Sequence, residues 1–238
     1  MPRHRRSRRL VAWLVGAAVA VAVLVVGGAF VYIHFISGPA PAPLSLKDLK
    51  SSPSAGTAAS RNGSRSVAGT WRVASGSLVG YRVNEVLAGQ DNVAVGRTSD
   101  ISGTMTIKGS TVTSASFTVA MDTIKSNESE RDAQFNGRIM DTAAYPTGKL
   151  ELTAPINLAP LPPGGDFRDF HATADLTLHG HTRAVTFTLE AEHVGGAIDV
   201  SGSIPILFAD WDISNPSFSP FVTTQNHGEL EFLIKFAS

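Results

Sequence analysis

Apolar and polar residues alternate one by one along most of the C-terminal part of the chain. Near the C-terminus, Leu230, Phe232, Ile234 and Phe236 alternate with residues that are mostly charged. Successive side chains of a strand point to opposite faces, so this pattern predicts a strand with one buried face. Seven further stretches show the same alternation: 79–83, 101–107, 111–123, 150–156, 172–178, 185–191 and 198–208.

Short glycine-containing turns separate several of these stretches. Gly109, Gly180 and Gly196 each lie between two predicted strands, where tight turns favour glycine. About eight antiparallel strands joined mainly by short turns satisfy their edges best by closing into a barrel. We therefore predict an all-β domain, an eight-stranded antiparallel barrel, with a two-sheet sandwich as the alternative.

One stretch, 128–140, has helical rather than alternating spacing. Asn127 is placed to cap it, with Glu130 three residues later, and Arg131, Phe135 and Ile139 recur at four-residue intervals on one face. This pattern predicts a single short helix that closes or gates one end of the barrel.

The N-terminal part differs from the rest in hydropathy. Residues 10–36 carry no charge and follow a tail, 1–9, that contains five arginines. A helix of 27 residues spans roughly 40 Å at about 1.5 Å per residue, enough to cross a bilayer with some tilt. The arginines predict a cytoplasmic N-terminus and an extracytoplasmic remainder. The alternative is a cleaved signal peptide, whose apolar core is usually shorter, about 7–15 residues.

Residues 37–69 are rich in Pro, Ala, Ser and Gly and show no apolar period. They predict a flexible, disordered linker with an end-to-end distance of roughly 30 Å. The remaining residues, 70–238, have the length of one domain. The predicted organisation is therefore a basic tail (1–9), a transmembrane helix (10–36), a linker (37–69) and a β-barrel (70–238).

Charge and composition exclude several classes of function. The formal net charge of zero conceals +5 in 1–36, +3 in 37–69 and −8 in 70–238. An acidic domain repels phosphate backbones, so nucleic acid is not an expected partner. The chain has no cysteine, which removes disulfides, zinc thiolate sites and thiol nucleophiles.

Two pairs of residues are candidates for catalytic or metal-binding chemistry. His179 and His181 flank a turn glycine and could share a metal, but the sequence shows no third ligand. Asp210 and Asp212 could serve as paired acids, although such pairs need a cleft. No nucleophile elbow, phosphate-binding loop, dinucleotide fingerprint or zinc-protease motif is present. We predict no catalytic residue, no metal and no cofactor.

A specific hairpin resembles a known family. The stretch TADLTLHGHTRAVTF at 173–187 is similar to the strand, His-Gly turn and strand of YceI-like domains. Other landmarks follow in the family's order: 71–73 with 77–83, Gly96 with 101–103, 122–124, 130–132, and 140–141 before Tyr145. The resemblance covers 70–238, with a departure at Ile139 and Met140, where the family usually has two phenylalanines.

The resemblance implies a lipocalin-like barrel whose apolar channel binds an isoprenoid lipid, a polyprenol or an isoprenoid quinone, without catalysis. Arg131 and Tyr145 are the expected channel mouth, with Asp132 orienting them; alternatively, Arg131 pairs with Asp132 or Asp141. The expected channel residues are Val79, Tyr81, Val83, Phe117, Val119, Met121, Phe135, Ile139, Leu150, Leu152, Leu176, Leu178, Phe187, Leu189, Phe208, Leu230, Phe232 and Ile234.

The pattern alone does not decide what occupies the interior, because an eight-stranded barrel is either filled by side chains or holds one elongated ligand. The first expectation is a single-pass protein of the cell membrane, in the bacterial envelope, that transports, stores or sequesters an isoprenoid lipid. A protein-interaction module with a filled barrel and an enzyme acting on a lipid precursor are the alternatives. A homodimer is a further possible assembly.

Overall fold

The computed structural model describes residues 13–21, 23, 27–28, 40–47, 66–87, 89–159, 167–194, 196–218 and 222–238. The predicted tail 1–9 and part of the predicted span 10–36 lie outside these ranges. Within them, no helix combines the length and the hydropathy that crossing a bilayer requires. The transmembrane helix therefore stays a prediction.

Twelve strands are described. They are β1 (Gly69–Val73), β2 (Leu78–Leu87), β3 (Gln90–Thr98), β4 (Ile101–Lys108), β5 (Thr111–Ala120), β6 (Thr147–Leu152), β7 (Ile156–Asn157), β8 (Arg168–Leu178), β9 (His181–Val194), β10 (Ala197–Leu207), β11 (Val222–Thr224) and β12 (His227–Ala237). All the strand pairings described between them are antiparallel.

Eight of these strands form a closed ring. The order is β1-β4-β5-β6-β8-β9-β10-β12, and β1 also pairs with β12 through Arg72 with Ala237 and Val73 with Phe236. The ring removes free edges, which a barrel does and a two-sheet sandwich does not. The predicted all-β, eight-stranded antiparallel barrel is therefore confirmed.

The strands β2 and β3 extend one wall of the barrel. β12 pairs with β2 over residues 229–233, and β3 pairs with β2 over nine positions. An isolated bridge between Arg97 and Lys125 ties β3 to the segment after β5.

The two ends of the barrel differ in the strands that finish there. The end at which β2, β8 and β10 finish and β12 begins is called the mouth end, and the opposite end is the far end.

The helical stretch lies at the mouth end but differs from the prediction. Instead of one helix over 128–140, there is a helix α1 (Ser129–Gln134) and a π-helical turn (Phe135–Ile139). The prediction that Asn127 caps the helix is wrong, because its side chain accepts a hydrogen bond from Arg131. The hydroxyl of Ser126 accepts from the Glu128 N–H at 3.1 Å, and Asp132 accepts from the Ser126 N–H at 2.8 Å.

Two apolar clusters of side chains line the barrel along its length. One includes Met121, Phe135 and Trp211 near the mouth end, and the other includes Trp71 and Phe236 near the far end. Each fully buried aliphatic or aromatic side chain contributes about 1.5–3 kcal/mol. Because the chain has no cysteine, no disulfide adds to the stability that this burial supplies.

Part of the predicted linker lies on the barrel. Within 37–69, residues 40–47 and 66–69 are described, and the side chain of Leu46 is fully buried. Arg82 of β2 donates a hydrogen bond to the carbonyl of Pro41 at 2.6 Å. This segment is therefore not a free tether along its whole length.

Candidate functional site

A cavity of about 590 Å³ runs inside the barrel. Met105, Val112 and Phe236 line it toward the far end, whereas Glu85 and Arg131 line it at the mouth end. Its volume falls within the range of roughly 300–1,000 Å³ that is typical of small-molecule sites. The two apolar clusters therefore enclose space along the barrel axis.

All eighteen residues expected along the channel line this cavity. Most of them lie on strands, which turn every second side chain inward, whereas Phe135 and Ile139 belong to the π-helical turn and Phe208 to a short turn after β10. Their contact with a lipid chain stays a prediction.

Several inward side chains remain partly accessible. Phe117, Leu150 and Phe232 point inward yet are only half-buried, because they face the cavity. A barrel packed by its own side chains would bury them completely. The interior is therefore hollow, which disfavours the interaction module with a filled barrel.

The structure adds lining residues that the sequence prediction did not include. Ile101 and Met105 of β4, and Ile198 of β10, line the cavity, and their places in the alternation could have identified them. Ala94 of β3 and Phe218 also line it. These two belong to stretches where the alternation is too short or too mixed to predict a strand.

Two aromatic rings narrow the mouth. The ring of Tyr81 on β2 stacks on that of Phe135, with centroids 5.1 Å apart and planes 14° apart. Gly96 pairs with Tyr81 across β2 and β3, and a Cβ at Gly96 would come within 2.7 Å of the Tyr81 Cζ. Gly96 therefore makes the room in which the Tyr81 ring lies.

The phenol of Tyr81 is held in its neutral form. Burial raises its pKa to about 12, with the charges of Asp132 and Glu85 adding to the rise and that of Arg131 opposing it. A neutral phenol at the mouth both donates and accepts hydrogen bonds. It is suited to a polar headgroup atom next to an apolar chain.

Arg131 lies at the mouth, but its partners are not the aspartates that the sequence analysis expects. Its guanidinium contacts the Glu85 carboxylate at 3.2 Å and donates to the Asn127 Oδ1 at 2.8 Å. The predicted pairing with Asp132 or Asp141 is therefore wrong. Asn92 also donates to Glu85, at 2.7 Å. This network ties α1 to β2 and β3 at the rim.

Tyr145, the second predicted mouth residue, is not among the residues that line the cavity. Its ring packs against His179, with centroids 4.5 Å apart, and lies beside Gly180 in the turn between β8 and β9. A different surface depression there contains Tyr145 and Gly180. The structure thus does not bring Tyr145 and Arg131 together.

The four residues weighed for chemistry do not line the cavity either. His179 contacts the carbonyl of Trp211 through Nδ1 at 3.2 Å, while His181, Asp210 and Asp212 are exposed. Among the described residues, no three His, Cys, Asp or Glu side chains are grouped so as to hold a metal ion.

Comparisons with known proteins agree with this architecture. The family model of the YceI-like domain matches residues 71–236. A polyisoprenoid binding domain from Saccharophagus degradans, implicated in plant cell wall breakdown, is 16% identical; the match covers 71% of this chain and 98% of that one, with a TM-score of 0.58. Burkholderia cenocepacia BcnA is 18% identical over 65% of this chain and 95% of its own, with a TM-score of 0.51.

No curated protein sequence matches the chain significantly. At these identities, the two solved structures show that the fold is shared. The family model spans most of the barrel, from Trp71 in β1 to Phe236 in β12. The chain therefore belongs to the YceI-like family.

Proposed function

We propose that the barrel holds one isoprenoid lipid, a polyprenol or an isoprenoid quinone, with its chain in the cavity. The hollow, apolar interior is the observation that carries this proposal. Charged residues of β2 and α1 gather at the mouth, among them Glu85, Glu130 and Arg131. This arrangement suits a ligand with a long apolar chain and a small polar end.

The energy of such binding follows from burial. Each methylene removed from water contributes about 0.8 kcal/mol, so one five-carbon isoprene unit supplies roughly 4 kcal/mol. A preformed cavity also avoids much of the cost of ordering the protein around the ligand. Two or three units inside the barrel would offset the loss of translational freedom of the lipid.

The comparisons support the class of ligand. One structural neighbour is named a polyisoprenoid binding domain, and this chain shares its fold. We infer a holding function rather than catalysis, since the name of that neighbour describes binding.

We further propose that residues 10–36 anchor the protein in the cell membrane, with the tail 1–9 in the cytoplasm and the barrel on the other side. The arginines before the apolar stretch support this orientation. An anchored barrel lies beside the pool of membrane lipids from which it would draw its ligand, for transport, storage or sequestration.

The test is extraction of the full chain, purified in mild detergent, with organic solvent, followed by mass spectrometry of the extract. We expect a polyprenol or isoprenoid quinone to copurify, or added lipid of either class to be taken up. Repeated preparations with neither prenyl lipid nor uptake would contradict the proposal. Retention of the protein in washed membranes tests the anchor separately.

A further inference from the structure

Residues 40–47 lie along the outer face of β2, β3 and β12, and we call them the strap. Arg82 donates to the Pro41 carbonyl at 2.6 Å, and Arg97 donates to the Ala42 carbonyl. The N–H of Leu44 donates to the carboxylate of Glu231 at 3.3 Å. Together with the buried side chain of Leu46, these contacts join the strap to the folded domain.

The polar contacts of the strap depend on Glu231, whose side chain is buried. Its carboxylate pairs with Arg97 at 2.7 Å and with Arg82 at 3.4 Å. Each arginine therefore bridges Glu231 and a strap carbonyl. Because the carboxylate orients both guanidinium groups, the donors that the strap carbonyls require are already positioned on the barrel wall.

The strap has a direction along the barrel. Pro41 contacts Arg82, which pairs with Glu229 across the sheet, whereas Leu44 contacts Glu231, which pairs with Gly80 two residues farther from the mouth end. Counted by the Cα positions of these partners in the sheet, the N-terminal end of the strap is the end nearer the mouth. Only residues 37–39 separate it from the predicted span 10–36, and four peptide steps reach at most about 14 Å.

Exposed apolar side chains gather at the same end. Among the described residues of the barrel, four large apolar side chains are exposed: Phe218 is 65% exposed, Leu207 51%, Val194 41% and Val86 38%. Val194 lies at the far end, in the β9–β10 turn, and the other three lie at the mouth end. Val222 pairs with Leu87 and forms a bridge with Phe218. We call Val86, Leu87, Phe218 and Val222 the apolar rim. Grouped exposed apolar side chains mark surfaces that contact another apolar phase.

We propose that the strap holds the mouth end against the lipid bilayer, with the apolar rim among the acyl chains. This inference rests on the proposed function, for which it supplies the route: a prenyl chain moves between bilayer and cavity without crossing water. The partner is a zwitterionic phospholipid surface, because the charges beside the mouth are of both signs: Glu128 and Glu130 are acidic, and Arg131 and Arg138 are basic. The short connection keeps the apolar rim close to the bilayer surface. A small apolar contact is then enough to hold the rim there.

The absence of cysteine permits labelling at single introduced cysteines in the full chain. We would place an environment-sensitive dye at Thr223→Cys, which pairs with Val86 beside the rim, and at Ser110→Cys in the turn at the far end. Both positions are exposed. In phosphatidylcholine liposomes that contain a lipid-borne quencher, we expect several-fold stronger quenching of the dye at Thr223→Cys. Equal quenching, or stronger quenching at Ser110→Cys, would overturn the proposal.

A second variant tests the strap. Insertion of twenty Gly and Ser residues between Gly38 and Pro39 lengthens the connection and leaves the strap contacts and the barrel intact. We expect quenching at Thr223→Cys to fall toward the value at Ser110→Cys; unchanged quenching would overturn the role of the strap. Lipid extraction from the same preparations separates the two proposals, because a lipid-loaded barrel without preferential quenching contradicts only the orientation.

Discussion

The ring of Tyr81 lies nearly parallel to the ring of Phe135, with centroids 5.1 Å apart. The first belongs to the wall strand β2 and the second to the π-helical turn after α1. The pair therefore joins the helical segment to the wall at the mouth of the cavity. Such aromatic pairs contribute about 0.5–1.5 kcal/mol beyond the area that they bury.

Replacement of Phe135 by alanine should loosen this closure. We expect Phe135→Ala to release a bound fluorescent prenyl probe about tenfold faster, equivalent to about 1.4 kcal/mol. Stopped-flow transfer to acceptor vesicles measures the rate. Tyr81→Phe keeps the stacked ring and should release the probe more slowly than Phe135→Ala does. Identical rates for Phe135→Ala and the unmodified chain would mean that the ring pair does not limit release.

A side chain at position 96 should displace Tyr81. Gly96→Ala places a Cβ within 2.7 Å of the Tyr81 Cζ, so the ring must move into the cavity or away from Phe135. We expect weaker probe binding, measured by titration, and a lower melting temperature. The control is Gly137→Ala, where a Cβ meets no atom within 4 Å, and binding should not change. Equal affinity in the two variants would contradict this role of Gly96.

A charge on the inner face should empty the cavity. Val119 lines it, and an unpaired buried carboxylate in Val119→Asp costs several kcal/mol. We expect loss of lipid and reduced stability in urea unfolding. Thr118→Glu, one residue away on the outer face and opposite Lys149, should retain both. If Val119→Asp keeps its fold and its lipid, the ligand does not occupy the channel.

Tyr81 should make stability depend on alkaline pH. Its pKa is raised to about 12 from 10.0 by burial, so the folded state retains the phenolic proton more firmly than the unfolded state. The contribution to stability is fully present below pH 10 and is lost as pH rises toward 12. The free energy of unfolding should therefore fall more steeply over this range in the unmodified chain than in Tyr81→Phe. If the free energy of unfolding falls equally with pH in the two chains, the pKa of Tyr81 is not raised by folding.

Loss of the Glu231 charge should release the strap. Glu231→Gln weakens the pairs with Arg82 and Arg97 that hold the strap carbonyls. We expect faster trypsin cleavage after Lys47, measured by mass spectrometry of timed digests. Glu229→Gln, on the same strand but exposed, should leave the cleavage rate unchanged. The same rate in Glu231→Gln would contradict a role of this carboxylate in strap binding.

Much of the barrel was predictable because its walls face two different environments. An inner apolar face and an outer polar face impose a period of two, so residues such as Leu176 and Phe232 are placed by alternation alone. The pattern was weaker at β3, where Gln90, Asn92 and Gly96 occupy inward positions, and at the three-residue β11. Those strands depend on pairing with β2 rather than on their own hydropathy.

The mouth was harder to predict because its contacts join residues far apart in the chain. The Arg131 pairing with Glu85 spans 46 positions, and neither residue's neighbours indicate the other. Tyr145 was expected at the mouth, but Gly180 leaves space for its ring on the outer side of the β8–β9 turn. Two of the strap's contacts are made by the backbone carbonyls of Pro41 and Ala42. Every residue has a backbone carbonyl, so the sequence pattern does not indicate these contacts.

The central claim is that the cavity holds one prenyl chain, and the most direct measurement is the mass of the intact complex. Native mass spectrometry of the full chain, released from detergent after incubation with a polyprenol or an isoprenoid quinone, should show the mass of one added lipid. That addition should be absent in Val119→Asp and present in Thr118→Glu. A spectrum that contains only the bare chain with both lipids, from folded protein, would contradict the account.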